Sequence, residues 1–175
     1  MNSVVIKERL QADPSQFIIK DIKTFTSTSP LSRLSFIDHI LWDEPLVRFA
    51  DGDDPLFDEY KTVIADTHFT PREALAEAYD KNPKDLPARL SVISWILPTP
   101  ESTRAGSRQE TRVPGRLWSH TRYYGEIFND TLRTHVVELL TGNGYMATAP
   151  TIQPYFKKFN NEKGPYSNWS ERHIA

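Results

Sequence analysis

The chain contains no cysteine. That excludes a disulfide, a thiolate nucleophile, a Cys-ligated zinc and an iron–sulfur cluster held by this chain alone. Only seven of its 175 residues are glycine, and none falls into G-x-G-x-x-G, G-x-x-x-x-G-K-[ST] or G-x-S-x-G. A Rossmann site, a phosphate loop and a nucleophile elbow are therefore disfavoured. No stretch approaches the roughly 20 apolar residues of a membrane span, and the apolar part of "MNSVVIKERLQADP" is too short for a signal peptide. A cytoplasmic protein without a membrane partner is the expectation. Net charge is also missing: 21 Lys and Arg stand against 23 Asp and Glu. No global field is available to hold a polyanion, so nucleic acid is not expected as a partner of this chain alone.

What remains is an ordinary globular composition, with 38% hydrophobic, 11% aromatic and 25% charged residues. The length suits a single domain over 1–175 with a core of its own. The fold class expected is α/β, with α+β as the alternative. Residues 3–11 read as a short first helix, while "DPSQFIIKDIKTF" carries a mixed pattern that assigns to nothing. Leu34, Ile37 and Leu41 recur as on an amphipathic helix over 29–42, with Ser29 and Pro30 as its start signal. Another helix is expected after "DGDDP". In "THFTPREALAEAYDKNP", Thr70, Pro71 and Glu73 spell N-cap, first helical residue and capping-box partner, which predicts a helix over 71–81.

The run from Leu90 to Leu97, stopped by Pro98, reads as a strand buried on both faces at the centre of a sheet. A polar loop is expected over 99–114. Tyr124, Phe128, Leu132, Val136 and Leu140 then repeat at four-residue steps, marking the longest helix, which "TGNG" closes. "GYMATAP" is a strand candidate, and 151–175 reads as an irregular tail carrying aromatics.

The five histidines never take metal-ligand spacing such as H-x-x-x-H, so a metal site is not expected. His135 reads as a hydrogen-bonded core residue; His120 is open between packing and chemistry. The acidic run "DGDDPLFDE" invites calcium, but its Gly is second where an EF-hand loop needs it sixth. A solvated turn with acidic helix-start residues explains it with less. Two sequons, at Asn129 and Asn168, read as chance matches. The segments "RLWSHTRYYGE" and "YSNWSERH" mix Trp, Tyr, Arg, His and Ser, a combination that grips a planar, polar-edged molecule by stacking and directed hydrogen bonds. Taken singly, Trp118, Tyr123 and Tyr124 read more readily as core and edge packing at a helix start.

Together with "WILPTPESTR" and "VVELL-GY-A-AP", these two segments resemble the N-terminal half of epoxyqueuosine-reductase-like iron–sulfur proteins, distant relatives of the corrinoid reductive dehalogenases. The resemblance runs from about Thr70 to the last residue. It implies a three-layer-like, nitroreductase-related module, a small sheet with flanking helices, incomplete relative to the family. It also implies cobalamin as cofactor, with Trp118, His120, Arg122, Tyr123, Tyr145, Trp169, Ser170, Arg172 and His173 at the cofactor or at a domain seam. The implied partner is a C-terminal ferredoxin-type module or partner chain; a homodimer through the tail is the other arrangement. The chain departs from the family where "GYMATAPTIQPYF" has no Asp at the place of the acidic proton donor in the tRNA-modifying members. The functional expectation is the corrinoid-domain portion of an oxidoreductase, fragment or short form, inactive alone. Its alternatives are a non-catalytic binding or assembly protein and a flavin-binding reductase. In isolation the tail, with Trp169, Arg172 and His173 at its edge, is expected to be mobile or swapped onto a neighbour.

Overall fold

A computed structural model of the chain describes residues 3–161 and 164–174. Residues 162, 163 and 175 of the expected tail lie outside the described residues. The described chain mixes helices with three two-stranded sheets. Where one domain is expected, the contacts group the residues into two compact units, each made of two separate chain segments. Unit 1 takes residues 1–47 and 95–139; unit 2 takes 48–94 and 140–175.

Unit 1 begins with helices α1 (Ser3–Ala12) and α2 (Pro14–Thr28). The unassigned segment after Asp13 is helical because Asp13 caps it, accepting the Gln16 N–H at 3.0 Å, and Pro14 occupies the first turn. Ile18 and Ile22 on α2 are buried, as are Phe128, Leu132 and Val136 on α6 (Arg116–Gly142). Four-residue spacing on both helices makes one apolar stripe on each, and Phe25 joins them by meeting Phe128 at 6.0 Å between ring centroids. His135 has the hydrogen bond expected of it, Nε2 lying 2.6 Å from Asp21, and its ring stacks on Phe25 at 4.3 Å, but with its side chain 31% exposed it sits at the margin of the core.

Residues 29–42 are not a helix. Ser29 and Pro30 start only a 3₁₀ turn (Pro30–Ser32), and Asp38 takes a left-handed conformation with φ 49° that ends any helical run. Strands β1 (Arg33–Leu34) and β2 (His39–Ile40) pair antiparallel instead. Leu34 and Leu41 are buried through a hairpin at the spacing an amphipathic helix would have used.

Strand β3 (Leu46–Asp51) pairs with β4 (Ser91–Ile96) alone. Hydrogen bonds from Asp43 to Pro98 and from Gly52 to Leu90 flank the pair and make it antiparallel. The apolar run therefore does not form a central strand buried on both faces: Val92 is buried, but Ile96 is 54% exposed. An apolar run reports attraction to a core, not how many strands flank it. The polar 99–114 stretch holds helix α5 (Glu101–Gln109), hidden from pattern reading because only Thr103 on it is buried. Its support is ionic, Glu101 pairing with Arg104 and Arg108.

In unit 2, α3 (Leu56–Val63) follows the acidic turn as expected. The turn uses its own carboxylates: Asp51 accepts from the Asp53 N–H, Asp54 from the Leu56 N–H, and Asp53 pairs with Arg72 at 2.5 Å. Helix α4 (Pro71–Ala78) has both halves of the predicted capping box, and it stops short of residue 81, with Asp80 at φ 49°. Leu75, Ala76 and Leu86 form a small core with Tyr79, Leu90 and Met146 against it. "GYMATAP" is not a strand. Tyr79 Oη replaces the missing ladder, accepting from the Ala147 N–H at 3.0 Å and donating to the Ala147 carbonyl at 3.1 Å.

The tail is not irregular either. Strands β5 (Lys158–Asn161) and β6 (Gly164–Ser167) form a hairpin in which register partners Phe159 and Tyr166 stack at 5.2 Å. A final turn, α7 (Glu171–Ile174), follows. Strands this short give no sustained period for a sequence reading to detect. Among the described residues no helix is long and apolar enough to cross a membrane.

Candidate functional site

The nine residues expected at one site fall into two groups, one in each compact unit, and each is described on its own terms. Trp118, His120, Arg122 and Tyr123 occupy the first two turns of α6 in unit 1. At 100° per residue these positions wrap around the helix, so the inner face must be told from the outer. Thr121, Gly125 and Phe128 are buried and define the inner side. Tyr123 and Trp118 are left outward, 67% and 43% exposed. Arg122 is exposed as well and pairs with Glu126 at 3.2 Å, one turn on.

The hairpin at residues 33–40 completes this group, and pattern reading missed its contribution. Phe36, itself 59% exposed, meets His120 edge-on at 5.5 Å and Tyr124 at 5.7 Å. Tyr124 in turn meets Tyr123 edge-on at 5.0 Å. The result is a contiguous row of rings, Phe36, His120, Tyr124 and Tyr123, edge to face at its two ends and tilted between His120 and Tyr124. His39 lies behind the row with Nε2 2.9 Å from the Thr103 hydroxyl. Burial, followed by the neighbouring His120, holds the His39 pKa below its ordinary value, so the ring is neutral at pH 7. No local sequence signal marks Phe36 or His39, because a helix over 29–42 would have placed them differently.

The second group, Tyr145, Trp169, Ser170, Arg172 and His173, belongs to unit 2. Tyr145 is 42% exposed, and Arg172 and His173 are exposed too. Trp169 is not at an open edge: it is only 8% exposed and lies parallel to the His68 ring at 6.0 Å. His68 is fully buried, and its Nε2 accepts the Ser170 N–H at 3.0 Å. Ser170 Oγ and His173 Nδ1 are 2.7 Å apart, and Tyr60 donates to the His173 carbonyl at 2.5 Å. The expectation of a mobile or swapped tail is thus replaced by a segment packed within its own unit. The sequence hides this because His68 and Ser170 are 102 positions apart.

Asn168 anchors the same segment. Its side chain accepts from the Lys157 N–H and donates to the Tyr155 carbonyl, each at 2.9 Å, while its own carbonyl accepts the Phe69 N–H at 2.9 Å. A side chain 4% exposed and doubly bonded offers nothing to a glycosylating enzyme. The other sequon asparagine, Asn129, accepts the Trp95 indole N–H at 2.9 Å.

A cleft of about 290 Å³ elsewhere in unit 2 is lined by Lys61, Asp66, Phe69, Glu73, Glu77 and Lys81, among others. Within that lining Lys61 bonds Glu73 at 2.8 Å and the His68 carbonyl at 2.9 Å. Among the described residues no cluster of three His, Asp or Glu is arranged to hold a metal ion. No family model matches the chain, and no curated protein or solved structure matches it significantly.

Proposed function

We propose that the chain is a binding module, the corrinoid-domain portion of an iron–sulfur oxidoreductase resembling epoxyqueuosine reductase, and that it depends on another module for turnover. The observation that carries this reading is the ring row of Phe36, His120, Tyr124 and Tyr123, with Trp118 and Arg122 exposed on the same two turns. Exposed aromatic rings suit a large planar ligand. These residues fit a corrin chemically. The tail residues fit it less well, because His68 covers the Trp169 ring and Ser170 is bonded to both His68 and His173.

When bound, cobalamin would supply the electron-accepting centre; this chain's own groups would stack on the ring and orient its edge. A nitroreductase-related arrangement of the module belongs to the same proposal. Absorbance titration of the full chain with cobalamin tests it. The expected result is a shift of the corrin bands that is lost in the double variant Trp118→Ala, Tyr123→Ala and kept in Arg172→Ala. No shift at excess cobalamin ends the cofactor reading, and flavin absorbance in the purified protein would favour the flavin reductase instead.

A second reading, a non-catalytic assembly protein, is favoured by one observation: the Phe36 and Tyr123 rings at the two ends of the row are 59% and 67% exposed. Sedimentation analysis separates the two. Self-association that Phe36→Ser abolishes, with no cobalamin response, supports assembly.

A further inference from the structure

His68 is an unusual residue to bury. It is fully enclosed, and its ring lies between Trp169, parallel at 6.0 Å, and Tyr60, edge-on at 5.8 Å. Its Nε2 accepts a backbone N–H, that of Ser170, at 3.0 Å. A nitrogen that accepts from an amide carries no proton, so the ring proton sits on Nδ1, which is buried and finds no partner among the described groups. The Phe69 N–H is given to the Asn168 carbonyl, so the Phe69 backbone group that favours a proton on the ring is its carbonyl. The Ser170 N–H therefore fixes the tautomer of the neutral ring.

We propose that His68 is an acid-sensitive latch: its neutral ring holds the backbone at Trp169 and Ser170 in place, and a proton on Nε2 releases it. Protonation would set two donors, the imidazolium N–H and the Ser170 N–H, against each other across 3.0 Å. The lost acceptor and a buried charge act in the same direction. The charged and titratable groups around the ring come from every element packed on it. Tyr60 and Lys61 face it from α3, Glu73 from α4, and His173 from α7. Burial is the largest influence and lowers the His68 pKa; His173 and Lys61 lower it further, while the Phe69 backbone and Glu73 oppose them.

Release stops at residue 169. Asn168 is held by Tyr155, Lys157 and Phe69 backbone groups that do not titrate in this range, so the hairpin before it stays anchored. What the open state uncovers is the Trp169 indole, 8% exposed when the latch is closed. The latch is independent of any ligand on α6 and stands or falls separately from the function proposed above.

The sign follows from the lowered pKa. The latch is fully engaged above the ordinary histidine value near 6.5 and is lost as pH falls through the lower folded value. Hydrogen exchange of the Ser170 amide in the full chain, corrected for intrinsic rate between about pH 7.5 and 5, reads it directly, with the His68 ring titration followed by NMR. Expected is a protection factor that falls about tenfold per pH unit once the ring begins to gain its proton. His68→Gln, whose carboxamide oxygen can accept the same N–H without titrating, is expected to remove the dependence. His173→Gln is expected to keep it. Constant protection across the range, a protonated ring with the Ser170 amide still protected, or undiminished dependence in His68→Gln would each overturn the latch. If His68→Gln fails to fold, the paired wild-type measurements decide alone.

Discussion

Gly125 lies under the ring of Trp42, where a Cβ would stand 2.5 Å from Cζ2 and 2.8 Å from Cη2. In an exposed helix, Gly→Ala gains about 1 kcal/mol of propensity. Here the methyl must displace an indole that also packs on Phe128, at 6.2 Å between centroids. Gly125→Ala is therefore expected to destabilise by about 1–3 kcal/mol in urea denaturation, the overpacking term outweighing propensity. A more stable variant would show that the indole has room to move. The same close approach explains why a glycine interrupts an otherwise good helix, something the four-residue repeat passes over silently. At this scale the sequence was informative where chemistry is local. His135 was legible as a hydrogen-bonded histidine beside the apolar stripe, although its half-buried position and its partner Asp21, 114 positions away, were not.

Among the elements, α4 shows how far local chemistry reaches. Thr70 accepts the Glu73 N–H at 3.2 Å and Glu73 accepts the Thr70 N–H at 2.8 Å, so both helix-start donors are satisfied within four residues. Thr70→Ala is expected to cost about 0.5–2 kcal/mol in chemical denaturation. Glu73 is also bonded to Lys61, an addition that no spacing rule announces. Burial tends to raise the Glu73 pKa, but the bonds from Lys61 and Thr70 outweigh it and hold the carboxyl below its ordinary value. Its contribution is accordingly present above about pH 4.5 and lost as pH falls through the lower folded value. Glu73→Gln, compared with wild type by thermal melts from neutral to acid pH, is expected to be less stable at pH 7 and to show a shallower acid limb. An unchanged limb would mean the carboxylate adds nothing on ionisation. Residues 29–42 mark the contrary case. Their apolar spacing was helical, yet the backbone turned at Asp38, because burying Leu34 and Leu41 needs only that both reach the core, by whatever path.

For the whole molecule, the informative fact is that each compact unit draws on two distant stretches of chain. The contacts that anchor residues 48–94 to the C-terminal stretch include Tyr79 to Ala147, Phe69 to Asn168, His68 to Ser170 and Tyr60 to His173. Ending the chain after Leu139 removes all of them. The expected outcome is loss of amide protection throughout 56–78, with the slowest exchange surviving around Phe128 and Leu132, which keep Phe25 as a neighbour. Protection retained at 71–78 would show that α4 stands without the C-terminal segment. The resemblance-bearing end "YSNWSERH" thus serves, in this structure, to close unit 2.

By itself the sequence determined what is local or absolute. It has no thiol for a disulfide or cluster, it caps α4 through adjacent side chains, and it places a continuous apolar stripe along α6. Those features depend on composition or on residues within a few positions, where backbone geometry alone brings groups together. Tertiary structure decided the rest: that the apolar run at 90–97 pairs with one strand, that Phe36 joins the rings of α6, and that His68 closes over Trp169. Each of these joins groups tens of residues apart, and burial of apolar surface, the force that joins them, is non-directional and leaves no period in the sequence to read.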